Sequence, residues 1–162
     1  MTSKPEPAPS RSIFLTGAAS GIGRATARLF ASRGWRVGAC DIDGDGLASL
    51  QAELGAERCL ALRLDVRDKA DYDRAVTSFG AFSGGRMDIL FNNAGIGIGG
   101  WFDEISYEDS LRIVEVNFIG VLNGIYAALP LLKNTPGSLC FSTSSSSATY
   151  GMPRLALYAA TK

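Results

Sequence analysis

Beyond residue 11, short apolar runs of β type alternate with longer segments of helical spacing, and this alternation constrains the architecture more than any other feature. Ser12–Thr16 reads as a strand ending at Gly17. A helix follows from about Gly21 to Arg33, with Ile22, Ala25, Leu29 and Phe30 on one face and Gly34 as its stop. Trp35–Cys40 and Cys59–Leu64 read as the second and third strands, separated by a helix over Gly46–Leu54 that ends at Gly55. Asp68 is placed to cap a helix over Asp68–Phe82 whose Ala75, Val76 and Phe79 face inward. Met87–Phe91 is a fourth strand, Ser106 opens a long helix with Asp109 three residues on as in a capping box, and Leu139–Ser142 is a fifth strand. Strands that are apolar on both faces and separated by helices require a parallel sheet covered on both sides. The right-handed crossover rule then predicts a doubly wound, three-layer α/β/α domain of Rossmann type over residues 12–162.

Composition narrows the chemistry. The 162 residues suffice for one domain, and 46% hydrophobic against 20% charged content marks a folded chain. Sixteen Lys plus Arg balance sixteen Asp plus Glu, so no basic excess exists to meet phosphates, and neither nucleic acid nor an anionic membrane is expected as a partner. The chain has no histidine, which excludes Ser-His-Asp hydrolysis, Cys-His proteolysis and His-containing zinc sites. Acid–base work falls to hydroxyls, a phenol, lysines or carboxylates. Cys40, Cys59 and Cys140 are far apart and form no C-x-x-C pair, which reads as three reduced, buried thiols in a cytoplasmic protein without a metal site. Residues 1–11, with three prolines and no apolar run, read as a disordered tail and not as a signal peptide. The most apolar long stretch, Val116–Leu132, contains Asn117, Asn123 and Pro130 and reads as too polar and slightly too short to span a membrane.

The first strand-to-helix turn is Thr16-Gly17-Ala18-Ala19-Ser20-Gly21-Ile22-Gly23. Glycines at these positions allow a tight turn, bring backbone N–H groups to a pyrophosphate and let the helix approach the sheet. A loop that is merely glycine-rich is the plain alternative. Asp41, at the end of the second strand and 18 positions after Gly23, can accept hydrogen bonds from the adenosine ribose hydroxyls and would repel a 2′-phosphate. Ser20 and Ile42 are uncharged where a basic residue would hold that phosphate, so NAD(H) is expected in preference to NADP(H). Otherwise Asp41 is a solvated loop acid beside Asp43 and Asp45. Asp65, in Leu64-Asp65-Val66, either reaches the adenine edge or starts a turn.

With this turn, Asn92-Asn93-Ala94-Gly95, Asn117 in the long helix, Ser145, and Tyr158-Ala-Ala-Thr-Lys162 occur in an order that resembles the short-chain dehydrogenase/reductase family from Ser12 to Lys162. The resemblance implies an NAD-dependent oxidoreductase that passes a hydride between NAD(H) and a secondary alcohol or ketone, a small-molecule substrate. It implies Tyr158 as general acid/base, Lys162 as its partner, Ser145 as the substrate-orienting serine with Ser144 as runner-up, and Asn117 as a fourth catalytic member that bends its helix and holds a water against Lys162. Cofactor contacts are implied for Gly17, Ser20, Gly21, Ile22, Gly23, Asp41, Asp65, Val66, Asn93, Ala94 and Gly95, together with Tyr158 and Lys162. It also implies a homo-oligomer, dimer or tetramer, when full length. Family members continue well beyond the equivalent of Lys162, so this sequence is expected to be part of a longer chain, truncated after the fifth strand, which would otherwise be a bare sheet edge. An NAD-binding regulator or structural protein without turnover is the rival reading, and an epimerase or dehydratase that recycles its NAD is a third.

Elementary chemistry supports the pair. Tyr158 and Lys162 are four apart and share one helical face. A phenol titrates near ~10, and an ammonium about 4 Å away at an effective dielectric of ~20 supplies about 4 kcal/mol, roughly three pKa units. A snorkelling lysine beside an amphipathic tyrosine would look the same in isolation. Trp101, Phe102, Tyr150 and Met152 flank the expected pocket, with Ile96 and Ile98 after the fourth strand; they suit a hydrophobic alcohol or ketone, or else pack a loop onto the body.

Overall fold

A computed structural model describes residues 10–162, so the tail reading for residues 1–9 lies outside the described residues. Arg11, assigned to that tail, is already engaged: its carbonyl accepts from Arg36 N at 2.9 Å. The sheet has five strands, β1 (Ser12–Thr16), β2 (Arg36–Asp41), β3 (Cys59–Arg63), β4 (Ile89–Asn92) and β5 (Leu139–Ser142), in the order β3-β2-β1-β4-β5. All pairings are parallel, with Ile13 opposite Val37 on one side and Ile89 on the other. The helices are α1 (Gly21–Ser32), α2 (Gly44–Leu54), α3 (Lys69–Ser83), α4 (Tyr107–Val114), α5 (Gly120–Lys133) and α6 (Ala156–Ala160). This is the doubly wound Rossmann arrangement, with the order reversing between β1 and β4.

Residue alternation along β1 divides the core. Ile13 and Leu15 meet Ala27, Ala31, Leu47 and Leu50 on one face, while Phe14 meets Tyr72, Val76, Phe79 and Leu132 on the other. The α2 and α3 starts follow from side-chain caps: Asp43 accepts from Gly46 N, and Asp68 accepts from Ala70 N and Asp71 N. Ser106 caps α4 by accepting from Asp109 N. α5 lies close over α3 and β4 because position 124 is glycine, where a Cβ would stand 2.5 Å from both Asn92 Oδ1 and Tyr72 Oη.

Four expectations change. The buried face of α1 is Gly23, Ala27 and Ala31, whereas Ile22 and Leu29 point outward. Small side chains let the helix back sit directly on the strands, and the large apolar residues are left toward the cleft and solvent. The long helix is one run over Tyr107–Lys133, but five residues, Glu115–Ile119, form a π-helical segment between α4 and α5. At 27 residues this run is long and apolar enough to cross a membrane by length and composition alone, because it begins well before Val116. Here it packs on α3 and the sheet, with 28% of its most apolar window buried. Finally, Cys40 and Cys59 are buried but Cys140 is exposed, because β5 is the edge strand of the sheet among the described residues.

Candidate active site

The carboxyl ends of β1 to β4 open into a cleft of about 1100 Å³ at the point where the strand order reverses. Its walls include Gly17, Ser20, Gly21, Ile22, Asp41, Asp65 and Val66 at one end. Asn93, Ala94 and Gly95 form the middle, and Tyr158 and Lys162 stand at the far end. Of the site residues expected from sequence, only Gly23, Asn117 and Ser145 lie outside this lining.

The glycine turn is shaped by close approach. Gly17 has φ +70°, and a Cβ on Gly23 would overlap the Gly17 carbonyl, so α1 can start here only with glycine at both places. Gly21 has φ +51° and open space where a Cβ would be. Ser20 caps α1 without a side-chain hydrogen bond and the first turn holds no acidic residue. The N–H groups at the helix start therefore face the cleft without an intramolecular carboxylate, a seat for an anion. Spacious, glycine-walled and headed by a helix N-terminus, the cleft fits a dinucleotide.

Asp41 is fixed by two backbone donors, Ala19 N to Oδ2 at 3.0 Å and Asp43 N to Oδ1 at 3.1 Å. Each oxygen keeps a lone pair for a ligand hydroxyl. Arg24, the basic residue that follows the glycine turn, is engaged by the Ala19 and Gly46 carbonyls, Ser49 and Glu53. Asp65 makes the contacts of a turn: Oδ1 accepts from Arg67 N at 3.0 Å, and the Arg67 guanidinium grips the carboxylate at 3.0 and 2.6 Å. That guanidinium holds the Asp65 carboxyl below the usual carboxylate range, outweighing burial.

Thr16 sets the floor. Its Oγ1 accepts from Asn93 N at 3.1 Å and Ala94 N at 3.0 Å, while Asn93 Nδ2 donates to the Thr16 carbonyl. Asn92 is structural: it is buried, accepts from Tyr72 Oη and donates to Ser142 Oγ at 3.4 Å. Asn117 occupies the π-helical segment, where its amide pairs with Ile96 in both directions, at 2.8 and 3.0 Å, and donates to Thr161 Oγ1 at 3.0 Å. It thus ties the floor loop to α6 through Thr161. A Cβ on Gly95 would stand 2.9 Å from Lys162 Nζ and 3.2 Å from Asn117 Oδ1, so these groups converge over that glycine.

Lys162 Nζ lies 5.6 Å from the centre of the Tyr158 ring, and burial pushes the ammonium below the usual lysine range. The two serines differ in what their hydroxyls do. Ser144 Oγ donates to the Lys162 carbonyl at 3.1 Å, whereas Ser145 Oγ accepts from Ser147 N and Ser147 Oγ, leaving its own proton to give. Thr143, Leu155 and Arg67 also line the cleft. Sequence reasoning passed over them, although Thr143 adjoins the serine run and Arg67 follows Asp65 by two residues.

The family model for short chain dehydrogenases matches residues 11–162. Momilactone A synthase of Oryza sativa subsp. japonica is 38% identical over 85% of this chain and 51% of its own length. Meso-2,3-butanediol dehydrogenase of Serratia marcescens is 34% identical over 93% of this chain and 59% of its own. The crystal structure of 3-ketoacyl-(acyl-carrier-protein) reductase from Brucella melitensis complexed with NADH superposes with a TM-score of 0.87 at 34% identity, covering 93% of this chain and 64% of that one. The chain thus spans between half and three fifths of the length of these two curated relatives. With strand order, glycine turn and family model in agreement over 11–162, the chain belongs to the short-chain dehydrogenase/reductase family.

Proposed function

We propose that this chain is the cofactor-binding and catalytic part of an NAD(H)-dependent oxidoreductase that interconverts a secondary alcohol and a ketone. The observation that carries the reading is the convergence of Tyr158 and Lys162 at the far end of a cleft that begins at a glycine-rich helix start. A bound nicotinamide supplies the acceptor or donor of the hydride. The phenol of Tyr158 exchanges a proton with the substrate oxygen, and the half-buried Lys162 ammonium stands beside its ring. Ser145 donates its hydroxyl proton to the same oxygen and steadies charge developing there. Asn117 holds the floor loop and α6 in register and so sets the depth of Lys162.

A preference for NAD over NADP is supported by Asp41, whose fixed carboxylate would repel a 2′-phosphate, and by Arg24 being engaged elsewhere. Assembly as a dimer or tetramer is supported by the exposed apolar side chains of Tyr107, Leu111, Phe118 and Tyr126 along one helical run. Three unpaired cysteines suit a cytoplasmic enzyme.

The test is Tyr158→Phe in the full-length protein, assayed with a panel of secondary alcohols and ketones. NADH binding, followed by its fluorescence, is expected to stay within about twofold while turnover falls by roughly 10²–10⁴. Tight NADH binding with no turnover of any carbonyl would favour a regulator or structural protein. Turnover unaffected by the substitution would remove Tyr158 from the mechanism.

A further inference from the structure

Two loops that rise from the carboxyl ends of β4 and β5 are clasped together beside Tyr158. Arg154, two residues before α6, has φ +66° and is the only non-glycine among the described residues with a left-handed backbone. Glycine adopts that conformation freely and side-chain-bearing residues resist it, so an arginine there carries a local backbone cost. Its contacts show what the side chain does. The Arg154 carbonyl accepts from Gly100 N at 3.0 Å, its guanidinium lies over the Trp101 ring at 5.9 Å, and it approaches Glu104 at 3.9 Å. Glu104 in turn accepts from Trp101 N at 3.1 Å. The indole is therefore held at its ring by Arg154 and at its backbone by the carboxylate that Arg154 approaches.

What this clasp borders is apolar. The next residue, Leu155, lines the cleft together with Ile96 and Ile98, and the lining residues from 93–98 and 143–158 are uncharged, while Arg112 and Lys162 supply charge elsewhere in the lining. Around the rim, Trp101, Phe102 and Tyr150 are each more than half exposed.

Resting on the reading of the cleft as a nicotinamide site, we propose that Arg154 is a specificity residue. By clasping Trp101 it holds an apolar, aromatic wall at the substrate end, so the site takes secondary alcohols and ketones borne on apolar rings in preference to polyhydroxylated ones. A polyol placed against Leu155, Ile98 and Trp101 would leave its hydroxyls unmatched, whereas a ring skeleton gains by leaving water.

The experiment uses the full-length protein loaded with NADH and two carbonyl probes, 1-indanone and dihydroxyacetone. kcat/KM is expected to favour indanone by about 100-fold or more. Arg154→Gly keeps the left-handed backbone and removes the guanidinium. It should raise the KM for indanone by about tenfold while leaving kcat, and the KM for dihydroxyacetone, within about twofold. Arg154→Lys, which keeps a cation over the indole, should recover part of that loss. A preference for dihydroxyacetone overturns the proposal, as does an unchanged indanone KM in Arg154→Gly, or an equal loss of kcat with both ketones. If NADH does not bind, the nicotinamide reading falls, and this proposal with it. If NADH binds but neither ketone is reduced, turnover is refuted alone. The change in bound-NADH emission with each ketone then decides: a response to indanone, weakened in Arg154→Gly, supports the apolar wall, and an equal or stronger response to dihydroxyacetone refutes it.

Discussion

Asp88 shows how one side chain can set the acid limit of the fold. It lies just before β4, nearly buried, and accepts from Ser12 N at 2.9 Å and from Arg86 Nε at 2.8 Å, so it joins the start of β1 to the start of β4. Burial pushes its carboxyl up, but Arg86 and the Ser12 amide together outweigh that, and the net displacement is downward. A carboxyl lowered in the folded state stabilises fully above its unfolded value of ~3.9 and loses that contribution as pH falls through the lower, folded value. Asp88→Asn should therefore cost about 1–3 kcal/mol at pH 7 in urea denaturation, and the deficit should shrink as the pH is brought down below ~3.9. Arg86 is a local partner, but nothing in the sequence marks Asp88 as a tie between strands, because Ser12 lies 76 positions away. Tyr158 and Lys162 were legible for the opposite reason: four residues apart, they share a helical face before any tertiary contact forms. Asp65 was legible only as two alternatives, and Arg67 supplied the contacts of the turn.

At the scale of elements, what the neighbouring chain decides could be read and what a distant surface decides could not. Asp68 and Ser106 cap their helices as their positions imply, because a cap needs only the next two or three amides. Asp68→Ala should lower stability by about 0.5–2 kcal/mol, seen as a drop in Tm with unchanged far-UV circular dichroism at 20 °C. Spacing puts Ile22, Ala25, Leu29 and Phe30 on one face of α1, but the residues fully buried against the sheet are Gly23, Ala27 and Ala31, with Phe30 packed beside them. The π-helical segment escaped for a similar reason. Its extra residue brings Asn117 to Ile96 and Thr161, partners from two loops that local spacing does not reveal.

For the molecule as a whole, the crossover rule carried the strand order, and the glycine turn and Asp41 located the cleft at one end of the sheet. The outer surface of the Tyr107–Lys133 run was not legible as a surface, since its apolar residues outnumber those that α3 and the sheet can cover. If that surface joins copies of the chain, Phe118→Lys should shift the full-length protein toward monomer. Sedimentation velocity should then show the self-dissociation constant raised by at least about tenfold, because a charge buried in an apolar interface goes unpaired. An unchanged sedimentation coefficient would exclude Phe118 from any such contact. The central place of β1 has a further consequence, for synthesis. β2 and β3 extend the sheet on one flank and β4 and β5 on the other, in the order in which the ribosome releases them. Each new strand meets an open edge, and none has to be threaded between two that have already paired.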